Sequence, residues 1–188
     1  LGQMIVTSIF EARQVAKTCS GEARETAQRL IEKLESMYKG VNVLIDKLRP
    51  ELLDTLGLES SIRSVLQDWR AALPQCRFSL QVQGQLDHLE SELKVTIYRI
   101  IQESLTNTAK HADATAVTIQ IKIGTAESED VVRVEVADNG SGFDPEERPG
   151  GIGLKGMAQR VAALGGKMDV KSQRGKGTRI IVRLPLTS

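Results

Sequence analysis

Asp138-Asn139-Gly140-Ser141-Gly142-Phe143 follows directly on the alternating run Val131-Val132-Arg133-Val134-Glu135-Val136-Ala137. Valines spaced by two predict a strand with one buried face. That strand delivers Asp138 at its end, and the glycines behind it let the backbone adopt positive φ and approach a planar ring. A carboxylate held there can accept a hydrogen bond from an exocyclic amine such as adenine carries. Asp-Asn-Gly is also a frequent hairpin turn. The next strand-like run does not follow at hairpin distance, which weakens that reading.

Downstream, Gly150-Gly151-Ile152-Gly153-Leu154-Lys155-Gly156-Met157 opens a helix predicted over 154–164. The backbone amides of a helix start attract anions. Gly151, Gly153 and Gly156 match G-x-G-x-x-G, but residues 144–149 form an acidic, proline-bearing loop where that dinucleotide fingerprint requires a strand. A Rossmann site is therefore rejected. Gly175-Lys176-Gly177-Thr178 lacks the Gly-Lys-Ser/Thr ending of a P-loop and leads into a strand predicted over 178–184. Residues 143–150 are rich in Pro, Gly and charge, and are expected to be mobile without a ligand.

Upstream, residues 87–111 predict a long helix whose buried stripe is Leu93, Ile97, Ile100, Ile101 and Leu105. Glu103, Asn107 and Lys110, at i, i+4 and i+7, share a different face. A carboxylate, an amide oxygen and a cation in line suit a magnesium–phosphate site, because Mg²⁺ takes hard oxygen ligands and keeps several waters. Taken alone, the same pattern fits an ordinary solvated face. Further strands are expected over 78–82, 116–123 and, more weakly, 167–172, with an amphipathic helix over 58–73. Helices on one face of a mixed sheet make an α+β class, an α/β sandwich.

The N-terminal part reads as a helical hairpin. Ile5, Ile9, Ala12 and Ala16 share one face. Ala27, Leu34, Val41 and Leu48 repeat every seven residues, with Leu30 or Ile31, Met37 or Tyr38, and Leu44 or Ile45 at the half-steps. A lone hairpin cannot cover both seams, so a homodimeric four-helix bundle is expected, packing on the rest of the chain being the other solution. Arg49-Pro50 closes the second helix. The domains expected are 1–50, a linker 51–57, and 58–188.

Composition narrows the function classes. Formal net charge is +1 and aromatics are 3% of residues, which argues against a nucleic-acid surface. Cys19 and Cys76 have no metal spacing and suggest no disulfide framework, as in a reducing cytosol. No apolar run approaches the ~18 residues of a membrane span, and no signal peptide is visible. The chain begins at Leu1 rather than Met, so a fragment is expected, cytoplasmic, with any membrane contact in segments outside it.

In this order the motifs resemble the ATP-binding domain shared by histidine kinases, Hsp90, gyrase B and MutL. Glu103 to His111 looks like its N box, Asp138 to Gly142 its first glycine box, Gly151 to Met157 its second, and Gly175 to Thr178 its last. The likeness covers residues 58–186. Leu48-Arg49-Pro50 with Leu53-Asp54-Thr55-Leu56-Gly57-Leu58, and Gln102-Glu103-Ser104-Leu105-Thr106-Asn107, resemble nitrate-sensor-like and DesK-like sensor kinases. That subfamily's phosphoacceptor motif reads close to His-Asp-x-Leu-Gly-Gln. Since the chain opens Leu1-Gly2-Gln3, the histidine is expected three residues earlier. No phenylalanine box is found in the lid.

The resemblance implies roles. Asp138 would bind the adenine amine. Asn107 would ligate Mg²⁺. Lys110 and His111 would face phosphate. Glu103 would act catalytically on water or a proton. Gly140, Gly142, Gly151, Gly153 and Leu154 would shape the ATP pocket and its lid, and Thr178 would touch the adenine-side water network. His88 is read as a solvated cap and not as the acceptor. The implied activity is MgATP-dependent phosphorylation of a histidine, then of a response-regulator aspartate in a receiver domain. The alternatives are a related ATPase or serine kinase, or a degenerate dimeric scaffold.

Overall fold

The computed structural model describes residues 2–48, 53, 56–126, 129–144 and 151–186. Arg49-Pro50, most of the expected linker and residues 145–150 of the expected lid lie outside them. The chain divides into two compact units, Leu1–Pro50 and Glu51–Ser188.

The first unit is a hairpin of α1 (Gly2–Thr18) and α2 (Gly21–Leu48). Ile5, Ile9 and Ala12 are buried on α1, and Ala27 and Ile31 on α2. The Arg13 guanidinium reaches the Glu35 carboxylate at 2.7 Å. At the first half-step Ile31 turns inward and Leu30 outward. Met4, Val15, Leu30 and Met37 are exposed apolar side chains. The heptad side chains from Tyr38 onward fall outside the description.

The second unit is a two-layer sandwich. Its elements are α3 (Leu58–Ala72), β1 (Arg77–Gln83), a 3₁₀ turn (Leu86–His88), α4 (Ser91–His111), β2 (Ala116–Ala126), β3 (Glu129–Asp138), α5 (Ile152–Ala163), β4 (Lys167–Ser172) and β5 (Thr178–Pro185). The strands form one sheet in the order β1-β2-β3-β5-β4. β1 and β2 are parallel, because α4 lies between them as a crossover, and the remaining pairs are antiparallel. Val117, Ile119 and Ile121 of β2, Val132, Val134 and Val136 of β3, and Ile180, Val182 and Leu184 of β5 are buried on one face. Ile62, Leu66 and Trp69 of α3, Ile97, Ile101 and Leu105 of α4, and Met157 and Val161 of α5 supply the helical layer of the core.

Helix α4 starts four residues later than the sequence suggests. Leu86 and Leu89 are both buried, a spacing of three that suits a 3₁₀ turn, and extended backbone at Leu89 and Glu90 separates that turn from the helix. β2 and β3 run on to pair Thr125 with Asp130 and Ala126 with Glu129. Those residues carry no apolar alternation, so nothing in the pattern announces them. α5 begins at Ile152, two residues earlier than expected.

Candidate ATP-binding site

Asp138 is the last residue of β3, opposite Val117. Its carboxylate joins three elements. Oδ1 accepts the Gly140 amide at 2.9 Å and the Thr178 amide at 3.3 Å. Oδ2 accepts the Thr108 hydroxyl of α4 at 3.4 Å. An ionised carboxylate only accepts, so this group stays oriented while Oδ2 retains capacity for another donor.

The loop after Asp138 is stitched down on both sides. The Asn139 side chain accepts the Thr115 and Ala116 amides at 3.0 and 2.9 Å and donates to the Thr115 hydroxyl at 2.9 Å. The Ser141 amide donates to the Ala112 carbonyl at 2.7 Å, and its hydroxyl to that of His111 at 2.8 Å. Both acceptors sit at the C-terminus of α4, where carbonyls lack helical partners. Any Cβ at Gly140 would strike Ala112. Gly142 has φ +57, and a Cβ there would strike the Gln173 and Gly177 carbonyls. The glycine-rich loop thus lies against the β4–β5 turn, whose Gly175 amide donates to the Ser141 carbonyl at 2.6 Å. Ser172 closes the arrangement: its hydroxyl accepts the Phe143 amide at 2.9 Å and lies 3.0 Å from the Thr178 hydroxyl.

These elements enclose a cavity of about 480 Å³. Of the residues singled out in the sequence, Asn107, His111, Asp138, Gly142, Gly151, Gly153, Leu154 and Thr178 line it. Glu103, Lys110 and Gly140 do not. Gly140 acts behind the wall by letting the loop meet α4. Glu103 lies beside the wall: a Cβ on Gly153 would run into its carboxylate. Ser104, Thr108, Ala112, Val136, Ser141, Phe143 and Ile180 also line the cavity, and sequence reasoning did not single them out. Thr108 had a findable signal, as the hydroxyl residue next to Asn107, four residues after Ser104. Ser172 had none.

The start of α5 forms the far wall. Gly151 is its N-cap in extended conformation, with no side-chain cap bond among the described residues, and the amides of a helix start attract anions. His88 is exposed, lies 3.0 Å from the Gln85 side chain and does not line the cavity.

Cys76 is buried just ahead of β1. Burial pushes its thiol above the usual range, and the negative charge of Asp138 adds to the shift. The charged form is the disfavoured one. Stability from the neutral thiol is therefore complete below the unfolded thiol's pKa and is lost as pH rises through the higher folded value. In native protein, Cys76 is expected to react with iodoacetamide at pH 8 at least tenfold more slowly than in urea. Cys76→Ala should flatten the alkaline limb of the stability curve. Equal alkylation rates in both states would contradict the burial argument.

Residues 92–188, just over half of the chain, match the model of the histidine kinase-, DNA gyrase B- and HSP90-like ATPases, and the chain belongs to that family. Over 98% of its length it is 35% identical to the histidine-protein kinase/phosphatase UhpB of Salmonella typhimurium strain LT2, and over 99% it is 28% identical to the kinase/phosphatase DegS of Brevibacillus brevis. It spans only 36% and 48% of those two proteins. The fold is that of the histidine kinase domain of the Erythrobacter litoralis EL346 blue-light activated kinase (TM-score 0.58, 19% identity, 97% of this chain and 94% of that one). It also matches full-length ShkA solved with AMPPNP (TM-score 0.58, 20% identity, 98% of this chain and 43% of that one). No described helix is long and apolar enough to cross a membrane.

Proposed function

We propose that this chain is the ATP-binding catalytic part of a sensor histidine kinase, with Asp138 reading adenine and the start of α5 holding phosphate. One observation carries this reading: Asp138, Asn107 and the uncapped start of α5 line the same cavity. Asp138 presents an acceptor-only edge, which suits the adenine amine and repels a guanine carbonyl. The amides of α5 suit a polyphosphate.

Magnesium fits the residues present. Asn107 offers a hard amide oxygen in the cavity wall, and the ion would neutralise phosphate charge there. Phosphoryl transfer depends chiefly on positioning and charge neutralisation, so the domain needs no nucleophile of its own. Lys110 and His111, one turn beyond Asn107, would add positive charge, and Glu103 would orient water or a proton beside Gly153. The phosphate would pass to a histidine and then to an aspartate of a receiver domain, in the cytoplasm. Exposed Leu30 and Met37, seven residues apart on α2, support a homodimer through the hairpin unit.

Titration calorimetry of ATP with and without magnesium tests the reading. Wild type should bind more tightly with the ion. Asn107→Ala should lose most of that gain, about tenfold or more, while its affinity without magnesium changes little. An unaltered magnesium gain in Asn107→Ala would remove Asn107 as the ligand. Absence of binding in wild type would remove the proposal.

A further inference from the structure

The face of the sheet turned away from the helices carries an unusual charge pattern. Lys122, Arg133, Arg183 and Lys167 lie directly opposite one another across β2, β3, β5 and β4. Like charges in facing positions destabilise a sheet. Four residues along the strands, Arg179 faces Lys171. Between these rows lie Glu135 and Asp169. Glu135 accepts from Arg133 at 2.6 Å and from Arg179 at 2.7 Å, and Asp169 accepts from Arg183 at 2.8 Å. These bonds hold the guanidiniums in place. Six cations thus stand against two carboxylates on a chain whose net formal charge is only +1.

We propose that this face docks an acidic helix of a partner protein in a transient complex. Four facing cations on strands about 4.8 Å apart span about 14 Å. An α-helix with carboxylates every three or four residues repeats them every ~5 Å, close to that spacing. Arginine in fixed geometry favours carboxylates. A lipid surface is a poorer match, because Ile181, the apolar residue amid the charges, is buried and offers nothing to insert. Nucleic acid is a poorer match because the neighbouring positions are Gln81, Gln120 and Thr118, with no ring for a base to stack on. A cation grid about 14 Å on a side covers far less than the ~800 Å² per partner of a stable complex, so the contact is brief and salt-sensitive.

The test uses the full 188-residue chain and a fluorescein-labelled alanine-rich helical peptide with glutamate at every third or fourth position. Anisotropy should show binding at low salt that weakens at least tenfold at about 0.5 M NaCl. Lys122→Glu with Lys171→Glu should weaken it at least tenfold. Lys122→Arg with Lys171→Arg should retain it. Reversal of two exposed cations of α2, Arg24→Glu with Lys33→Glu, matches the change in net charge and should leave binding within twofold. ATP affinity should be the same in all variants, since none of these residues lines the cavity. The thermal midpoint of Lys122→Glu/Lys171→Glu should not fall, because two facing cations are removed. The proposal is overturned if the peptide fails to bind, if the α2 reversal weakens it equally, or if phosphatidylserine vesicles or duplex DNA bind as tightly as the peptide.

Discussion

Asp138→Asn is expected to reduce ATP affinity by two to three orders of magnitude while the protein stays folded. The carboxylate oxygens have different work. Oδ1 is engaged by the amides of Gly140 and Thr178, and Oδ2 meets Thr108 and faces the cavity that residue lines. An asparagine can keep its carbonyl at the Oδ1 position and so preserve both amide bonds. Its NH₂ then occupies the Oδ2 position; the Thr108 hydroxyl can turn its proton to the Ser104 carbonyl at 3.0 Å and accept from it, but the adenine amine is a second donor. A lost charge-assisted bond costs about 1.5–3 kcal/mol and a mispaired buried group about 1–3 kcal/mol. A combined loss of about 3–4 kcal/mol corresponds to 10²–10³ in affinity. GTP should lose far less, since the new donor suits its ring carbonyl. Calorimetry with both nucleotides, together with a thermal midpoint within a few degrees of wild type, checks this. Equal ATP affinities would sink the adenine assignment.

The second large effect is structural. Gly177→Val is expected to destabilise the protein by about 3–5 kcal/mol and to abolish nucleotide binding. Gly177 has φ +77, and a Cβ there would strike the Asp138 carbonyl and the Asn139 backbone. Left-handed backbone costs a bulky residue about 1–3 kcal/mol by itself. The clash is with backbone at the site's anchor, so the β4–β5 turn must move. Moving it breaks the Thr178–Asp138 and Ser172–Gly177 bonds. Two controls isolate the cause. Gly175 has φ +75 but nothing within 4 Å of an added Cβ, so Gly175→Ala should show the backbone term alone, about 1 kcal/mol. Gly151 also has open space and an extended backbone, so Gly151→Ala should be almost neutral in stability. Urea unfolding of the three variants ranks them. A Gly177→Val protein as stable as Gly175→Ala would refute the close approach.

The strands and helices were readable in the sequence because each buries one face. The valines of β3 and the leucine and isoleucine stripe of α4 show it directly. The place of Asp138 at a strand end was readable for a related reason, since the valine alternation stops just before it and no strand-like run follows at the distance the hairpin reading of Asp-Asn-Gly needs. The breakdown of regularity before α4 was not readable, because buried Leu86 and Leu89 satisfy a 3₁₀ turn and a longer helix equally well. Nor was the distinction between Asn107, which lines the cavity, and Lys110, which does not, since both share one face by periodicity. Gly140 was read as pocket-shaping, yet its constraint comes from Ala112, a partner that becomes adjacent only through the fold. Thr108 and Ser172 belong to polar networks between distant segments, and such networks leave no periodic trace.

β5 holds a central place in the sheet, between β3 and β4, although it is the last strand along the chain. During synthesis, β1, β2 and β3 can pair as soon as they emerge, but β4 has no neighbour until β5 arrives. Thr178, the first residue of β5, supplies one of the two amides on Asp138 Oδ1. Neither the sheet nor the Asp138 end of the cavity can therefore close before residue 185 has left the ribosome. Until then β3 presents an open, valine-rich edge, which makes that interval the stage of biogenesis most exposed to misassociation.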